Sequence, residues 1–203
     1  MNFDQDLLQF QANRLKPTNT RVTTHLGKQF IEKRNEEGFS QDVEYTGPHA
    51  AGYCIDNDPD LTYATVRPGL LLSGQDVAAT YDLLKSAKVT HIVNLASYVK
   101  NMFPDDFTYL QLTIADMPDQ NILSYLDEIH NFISAAIKDD GVVLVHCNAG
   151  VSRAPTVVAT YLMRTEKIRR NDALFQIQAL RFVFPNEGFM NQMTVFEKQL
   201  GIS

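Results

Sequence analysis

The chain has 203 residues and a formal net charge of -6, and 44% of its residues are hydrophobic. This length suits one domain with an extension, and the apolar content is enough to build a core. The acidic balance argues against a nucleic-acid-binding protein, which usually presents a concentrated basic face. No apolar run approaches the length of a membrane span, so we expect no membrane segment.

Cysteine usage indicates the compartment. The two cysteines, Cys54 and Cys147, cannot form the disulfide framework of a small secreted protein. Cysteines outside such a framework stay reduced in a reducing environment, so we expect the cytosol, with the nucleus as a second location. The cysteines and histidines lack the spacing of metal ligands, and no metal site is predicted.

The first 60 residues are predicted to be an extension and a linker, followed by a folded domain at residues 61–203. Residues 3, 7 and 10 are apolar at helical spacing, and a second short helix is expected within residues 26–34. A mobile arm is the alternative. Residues 41–60 carry glycines and prolines among polar residues and are predicted to be the linker.

From residue 61 onward the pattern alternates between short apolar runs, typical of strands, and longer runs with helical spacing. Strands are predicted at residues 70–72, 90–95, 109–114 and 142–145, and helices at 77–86, 121–138, 154–165, 172–180 and 188–200. The alternation predicts an α/β fold with a mostly parallel central sheet flanked by helices. Ligands bind such sheets beyond the C-terminal ends of the strands.

A polar octet from His146 to Arg153 lies between the last predicted strand and the next helix. Pro155, just after it, suits the first turn of a helix. The N–H groups of such a turn converge, and the helix dipole adds partial positive charge, so the turn predicts an anion site. Gly150 can adopt positive φ or bring the backbone close to a ligand.

Two side chains add chemistry to this anion site. Cys147, at a helix N-terminus and near a guanidinium, is expected to be a thiolate at neutral pH and therefore a nucleophile. Arg153, six positions later, can hold two phosphate oxygens in a bidentate fork. The sequence thus predicts a phosphate-binding loop with its own nucleophile. The residues predicted to bind phosphate are Asn148, Ala149, Gly150, Val151, Ser152 and Arg153.

The octet His146-Cys147-Asn148-Ala149-Gly150-Val151-Ser152-Arg153 resembles the signature of the cysteine-dependent protein phosphatases, and the local sequence is most similar to the atypical dual-specificity phosphatases. The resemblance is weak before about residue 60 and good after it. It implies hydrolysis of phosphotyrosine and of phosphoserine or phosphothreonine through a cysteinyl phosphate, without a cofactor. It also implies phosphoprotein substrates in mitogen-activated and stress-activated kinase pathways.

The leaving oxygen of a phosphoprotein needs a proton, so a general acid must face the loop. Asp116 is predicted to supply it, because it follows a strand and lies 31 residues before Cys147, close to the spacing in the family. Asp119 is the alternative. In the second step Asp116 would act as the base that activates water.

Ser152 is predicted to be a further catalytic residue, and His146 and Asn186 are predicted to be supporting residues. His146 is not expected to serve as a base, because adjacent residues at a strand end point to opposite faces. The family resemblance implies instead that it orients the loop through hydrogen bonds. Ser152 is predicted to donate a hydrogen bond to the Cys147 thiolate as it departs, and a helix N-cap is the alternative. Asn186 resembles a family asparagine that braces the loop, and a plain turn and helix start is the alternative.

Two other functions stay open from the sequence. One is a weakly active scaffold that binds a kinase module. The other is a phosphoinositide or RNA phosphatase with the same nucleophile, although such substrates favour basic residues inside the loop, where this chain has Asn148, Ala149 and Val151. The pattern makes no prediction of the oligomeric state.

Overall fold

The computed structural model describes residues 59–202 and, before them, the backbone of three strands. These strands are β1 (Thr20–Thr23), β2 (Gln29–Arg34) and β3 (Ser40–Tyr45). They form an antiparallel sheet in the order β1-β2-β3. The chain divides into two compact units, residues 1–54 and residues 55–203.

The strands of the first unit correct the sequence prediction. The helix expected within residues 26–34 is wrong, since Gln29–Arg34 is a strand that pairs with neighbours on both sides. The predicted linker at 41–60 likewise begins inside strand β3. Six residues of local pattern cannot distinguish a helical turn from a strand whose hydrogen bonds come from neighbouring strands. The helix expected around residues 3–10 lies outside the described residues.

The second unit is built on a five-stranded sheet in the order β4-β5-β8-β6-β7. The strands are β4 (Tyr63–Arg67), β5 (Leu70–Ser73), β6 (His91–Asn94), β7 (Thr108–Gln111) and β8 (Val143–His146). Strands β5, β8, β6 and β7 run parallel, which confirms the predicted mostly parallel sheet. Only β4, which was not predicted, is antiparallel. It is an edge strand with alternately exposed and buried residues.

Helices flank this sheet, as predicted. They are α1 (Gln75–Ala78), α2 (Tyr81–Ser86), α3 (Leu123–Lys138), α4 (Arg153–Glu166), α5 (Arg170–Gln178) and α6 (Glu187–Gln199). The single helix predicted at 77–86 is two short helices, because Thr80 between them has extended backbone angles. Within the described residues, no helix is long and apolar enough to span a membrane.

One predicted strand is shorter than expected. The strand expected at residues 109–114 ends at Gln111, because its only partner in the sheet, β6, ends at Asn94. One more hydrogen bond, from the N–H of Leu112 to the carbonyl of Asn94, closes the ladder. The following residues are therefore free to form a loop, and this loop carries Asp116.

Strand β8 lies at the centre of the sheet and is buried on both faces. Val143 and Val145 pack into the larger core cluster, with helices α3, α4 and α6, whereas Leu144 packs into the smaller one, with α1 and α2. This alternation is the period of two expected for a strand. Cys147 belongs to the larger cluster, so His146 faces the opposite side, as predicted.

Candidate active site

The predicted phosphate loop connects the C-terminal end of β8 to α4, which begins at Arg153 with Ser152 at its N-cap position. Gly150 has a φ of 71°, and a Cβ at this position would lie 2.5 Å from the carbonyl carbon of Ser73. Both the backbone angle and the close approach therefore require glycine here. The loop consequently lies directly against the end of β5.

Carbonyl oxygens of the loop accept hydrogen bonds from residues outside it. These bonds run from the N–H of Gln75 to Asn148 (2.8 Å), from the guanidinium of Arg181 to Ala149 (3.2 Å) and from the N–H of Phe184 to Val151 (2.7 Å). The described peptides are all trans, and in a trans peptide the C=O and N–H point in opposite directions. The N–H groups of residues 149, 150 and 152 therefore face the inside of the loop, as an anion site requires.

The Arg153 side chain is buried and held in place from several sides. Its Nη1 donates to the carbonyls of Ile114 (3.0 Å) and Leu95 (3.3 Å), and its Nη2 donates to Oδ1 of Asn148 (2.6 Å). Its Nε lies 3.5 Å from Oδ2 of Asp116 and is buried without a hydrogen bond to any described residue. A buried guanidinium with an unpaired donor is suited to binding an oxyanion.

Asp116 lies against the loop. Its Oδ1 accepts hydrogen bonds from the Ser152 hydroxyl (2.7 Å) and from the Asn186 side-chain amide (2.8 Å), and its Oδ2 faces Arg153. Asp119 makes no such contact with the described residues. Of the two candidate acids, Asp116 is the one that the fold brings to the loop.

Ser152 and Asn186 connect the loop to Asp116. Ser152 occupies the N-cap position of α4, but its side chain makes no capping hydrogen bond, so the alternative of a side-chain cap does not hold. A hydroxyl has one proton, and here Ser152 directs it to Asp116, so it is not donated to Cys147 in this arrangement.

Asn186 both contacts the network around the loop and begins a helix, the two alternatives given for it from the sequence. Its Oδ1 caps α6 by accepting from the N–H of Phe189 (2.9 Å), its side-chain amide binds Asp116, and its backbone N–H donates to Oγ of Ser152 (3.2 Å). The helix start at Asn186 and the loop are thus parts of one hydrogen-bonded network.

His146 is buried at the end of β8, and its Nδ1 lies 3.4 Å from the Cys147 carbonyl. A carbonyl only accepts, so Nδ1 carries the proton. Burial lowers the pKa of His146 to about 4, and the positive charge of Arg153 acts in the same direction. His146 is therefore neutral near pH 7, and its contact is with the backbone of the loop. This geometry suits a residue that orients the loop.

The sequence did not predict several contacts of the site. Arg181 binds the loop at Ala149 and also donates to the carboxylate of Asp60 (2.7 Å). Gln75 binds both the backbone and the side chain of Asn148. Neither belongs to a motif, and each reaches the loop from a distant part of the chain, so no local pattern could have indicated them.

The chain is similar to known proteins. The family model described as dual specificity phosphatase, catalytic domain, matches residues 71–199. The chain is 41% identical to dual specificity protein phosphatase 19 of Mus musculus over 198 residues, which cover 97% of this chain and 90% of that protein. It is 35% identical to the MAP kinase phosphatase with leucine-rich repeats protein 1 of Dictyostelium discoideum, over 78% of this chain and 18% of that protein.

A solved structure is similar as well. The human tyrosine phosphatase-like serine/threonine/tyrosine-interacting protein superposes with a TM-score of 0.66 and 32% identity, over 68% of this chain and 96% of that chain. The same family is indicated by the family model, by the relatives and by the fold. The chain belongs to the atypical dual specificity phosphatases of the cysteine-dependent protein tyrosine phosphatase superfamily, and it is a protein phosphatase.

Proposed function

We propose that residues 61–203 form a catalytic domain that hydrolyses phosphotyrosine and phosphoserine or phosphothreonine in proteins through a cysteinyl phosphate. The observation that carries this proposal is the contact of Asp116 with Ser152 and Arg153, which adds a carboxyl group to a loop that already holds Cys147. Nucleophile, anion-binding guanidinium and proton donor are the three groups that phosphoryl transfer through cysteine needs.

In the first step the Cys147 thiolate attacks phosphorus in line with the leaving oxygen. The S–P bond forms while the P–O bond to the serine, threonine or tyrosine oxygen breaks. Arg153 and the inward N–H groups of the loop stabilise the equatorial oxygens. Asp116 transfers its proton to the leaving oxygen, which departs as a neutral hydroxyl.

In the second step water attacks the cysteinyl phosphate. Asp116, now ionised, removes a proton from this water, and the P–S bond breaks to give inorganic phosphate and the Cys147 thiolate. The same carboxyl group thus serves as acid and then as base. Its hydrogen bonds to Ser152 and Asn186 keep it directed at the loop.

We extend the proposal to substrates in mitogen-activated and stress-activated kinase pathways. It is supported by the family resemblance and by the Dictyostelium relative whose name describes a MAP kinase phosphatase. Reactive thiolate chemistry favours the cytosol or the nucleus as the compartment.

A second candidate function is binding of a kinase module with weak catalysis. It is favoured by the name of the human structural relative, which describes a phosphatase-like interacting protein. The contact between Asp116 and Arg153 argues for turnover, because a purely binding protein has no need of an acid beside the loop.

The test is a substrate panel of phosphotyrosine peptide, phosphothreonine peptide, phosphoinositide and RNA 5′-phosphate, combined with a kinase pull-down. We expect turnover of both phosphopeptides and little turnover of the other two. Preferred turnover of a phosphoinositide or of RNA would contradict the proposal. Kinase capture without measurable turnover would favour the scaffold.

A further inference from the structure

The N-terminal half of helix α6 lies against the segment that carries Asp116, residues 115–122, called here the acid loop. Three positions of this helix contact the loop: Asn186 at the N-cap, Gly188 in the first turn and Gln192 one turn further on. Asn186 binds Asp116 itself, whereas the other two contact only the rest of the loop.

Gln192 holds the far end of the acid loop with both atoms of its amide. Its Oε1 accepts from the N–H of Ile122 (2.8 Å), and its Nε2 donates to the carbonyl of Gln120 (2.8 Å). Gln120 in turn accepts from the N–H of Ala115 (3.3 Å) and donates its own N–H to Met117 (3.1 Å). Gln120 thus connects the two ends of the acid loop, and Gln192 attaches the far end of the loop to α6.

Gly188 allows the closest approach between helix and loop. A Cβ at this position would lie 2.5 Å from Cα of Pro118 and closer still to its carbonyl, whereas real Cβ atoms essentially never come within 3.0 Å of another atom. Glycine inside a helix costs about 0.5 to 1 kcal/mol relative to alanine. The close approach of Pro118, two residues after Asp116, is a physical reason to keep it.

We infer that Gln192 and Gly188 are positioning residues that set Asp116 at its place over the phosphate loop, through the backbone of the acid loop. This rests on the proposed role of Asp116 as general acid. An acid transfers its proton only within hydrogen-bond reach, and a displacement of about 1 Å can cost on the order of 10²-fold in rate. Loss of either contact should therefore weaken proton donation and leave nucleophilic attack largely intact.

The experiment uses the full chain with the substitutions Gln192→Met and Gly188→Ala. Methionine keeps the length and volume of glutamine but removes both hydrogen bonds, and alanine forces Pro118 away. We expect kcat/KM for a phosphothreonine peptide to fall by about tenfold or more, and that for p-nitrophenyl phosphate to fall by less than about threefold, because its leaving group needs little protonation. The basic limb of the kcat/KM–pH profile should flatten.

Two matched variants complete the design. Asn191→Ala changes an exposed residue beside Gln192 and should leave both substrates unchanged. Asp116→Asn should show a leaving-group dependence about as large as or larger than that of Gln192→Met, and adding Gln192→Met to it should cost little more.

The outcomes separate the two levels of the argument. If Asp116→Asn loses selectively the phosphopeptide activity while Gln192→Met and Gly188→Ala keep wild-type selectivity, the positioning role is wrong and the proposed function stands. Equal losses on both substrates in Gln192→Met would also overturn it, since that pattern indicates general structural damage. If Asp116→Asn itself shows no leaving-group dependence, the proposed acid is wrong.

Discussion

Replacement of Arg153 by lysine tests the electrostatic centre of the site. The guanidinium donates to Ile114, Leu95 and Asn148 and presents a buried Nε beside Asp116. A single ammonium group cannot reach these acceptors in a planar fork and still hold two phosphate oxygens. The arginine is 6% exposed, so solvent does not replace what is lost.

The magnitude follows from the contacts. Hydrogen bonds that involve a charged group contribute about 1.5 to 3 kcal/mol each, and loss of one transition-state donor typically costs about 10² to 10³ in kcat. We therefore expect Arg153→Lys to lose about 10²-fold or more in kcat/KM. The free energy of unfolding should fall by about 2 kcal/mol, because the shorter ammonium side chain would leave at least one buried acceptor unpaired.

The assay is steady-state hydrolysis of a phosphotyrosine peptide together with urea denaturation. Arg164→Lys, on the same helix, is the control: Arg164 pairs with Asp127 at the surface, where such pairs contribute about 1 kcal/mol or less. If Arg153→Lys stays within about threefold of wild type, under roughly 0.7 kcal/mol of transition-state stabilisation, Arg153 does not act through a bidentate contact with phosphate.

Other predictions concern the nucleophile, the loop serine and the buried histidine. Cys147→Ser should abolish turnover while keeping the fold and phosphate binding, because the serine hydroxyl stays protonated in this site and is a poor nucleophile. Appreciable activity with an aryl phosphate would refute the covalent mechanism. Ser152→Ala should give a burst of phenol from an aryl phosphate and then slow turnover, because an aryl leaving group needs little protonation in the first step, whereas the second step needs an Asp116 that the Ser152 hydroxyl directs toward the attacking water. Absence of a burst in rapid-mix kinetics would contradict this. The pKa of His146 is about 4 in the folded chain, against an ordinary value of 6.5, so the unfolded chain binds the proton more tightly. The free energy of unfolding therefore decreases as pH falls from about 6.5 toward about 4. The free energy of unfolding should drop by about 2 kcal/mol from this residue between pH 7 and pH 5, and urea midpoints that stay constant over that range would refute it.

Local sequence determined the features whose residues are contiguous. An apolar strand, a polar octet and a helix follow one another from residue 142 to 166, so the loop between Cys147 and Arg153 and its place at the end of a central strand could be read without coordinates. The alternation of strands and helices likewise predicted the mostly parallel sheet, which is confirmed. The spacing of apolar residues predicts whether a segment is a strand or a helix, because it reflects which faces of that one element are buried.

Tertiary structure decided the contacts between distant segments. Spacing favoured Asp116 but left Asp119 open, and only the fold brings Asp116 within 2.7 Å of the Ser152 hydroxyl. The same holds for Gln192, whose partners lie about 70 residues earlier, and for strands β2 and β4, whose hydrogen bonds belong to neighbours in the sheet. Such contacts form only when distant segments of the chain pack together, as α6 does against the acid loop and as each strand does against its neighbours. The spacing of apolar residues within one segment does not indicate which distant segment it will meet.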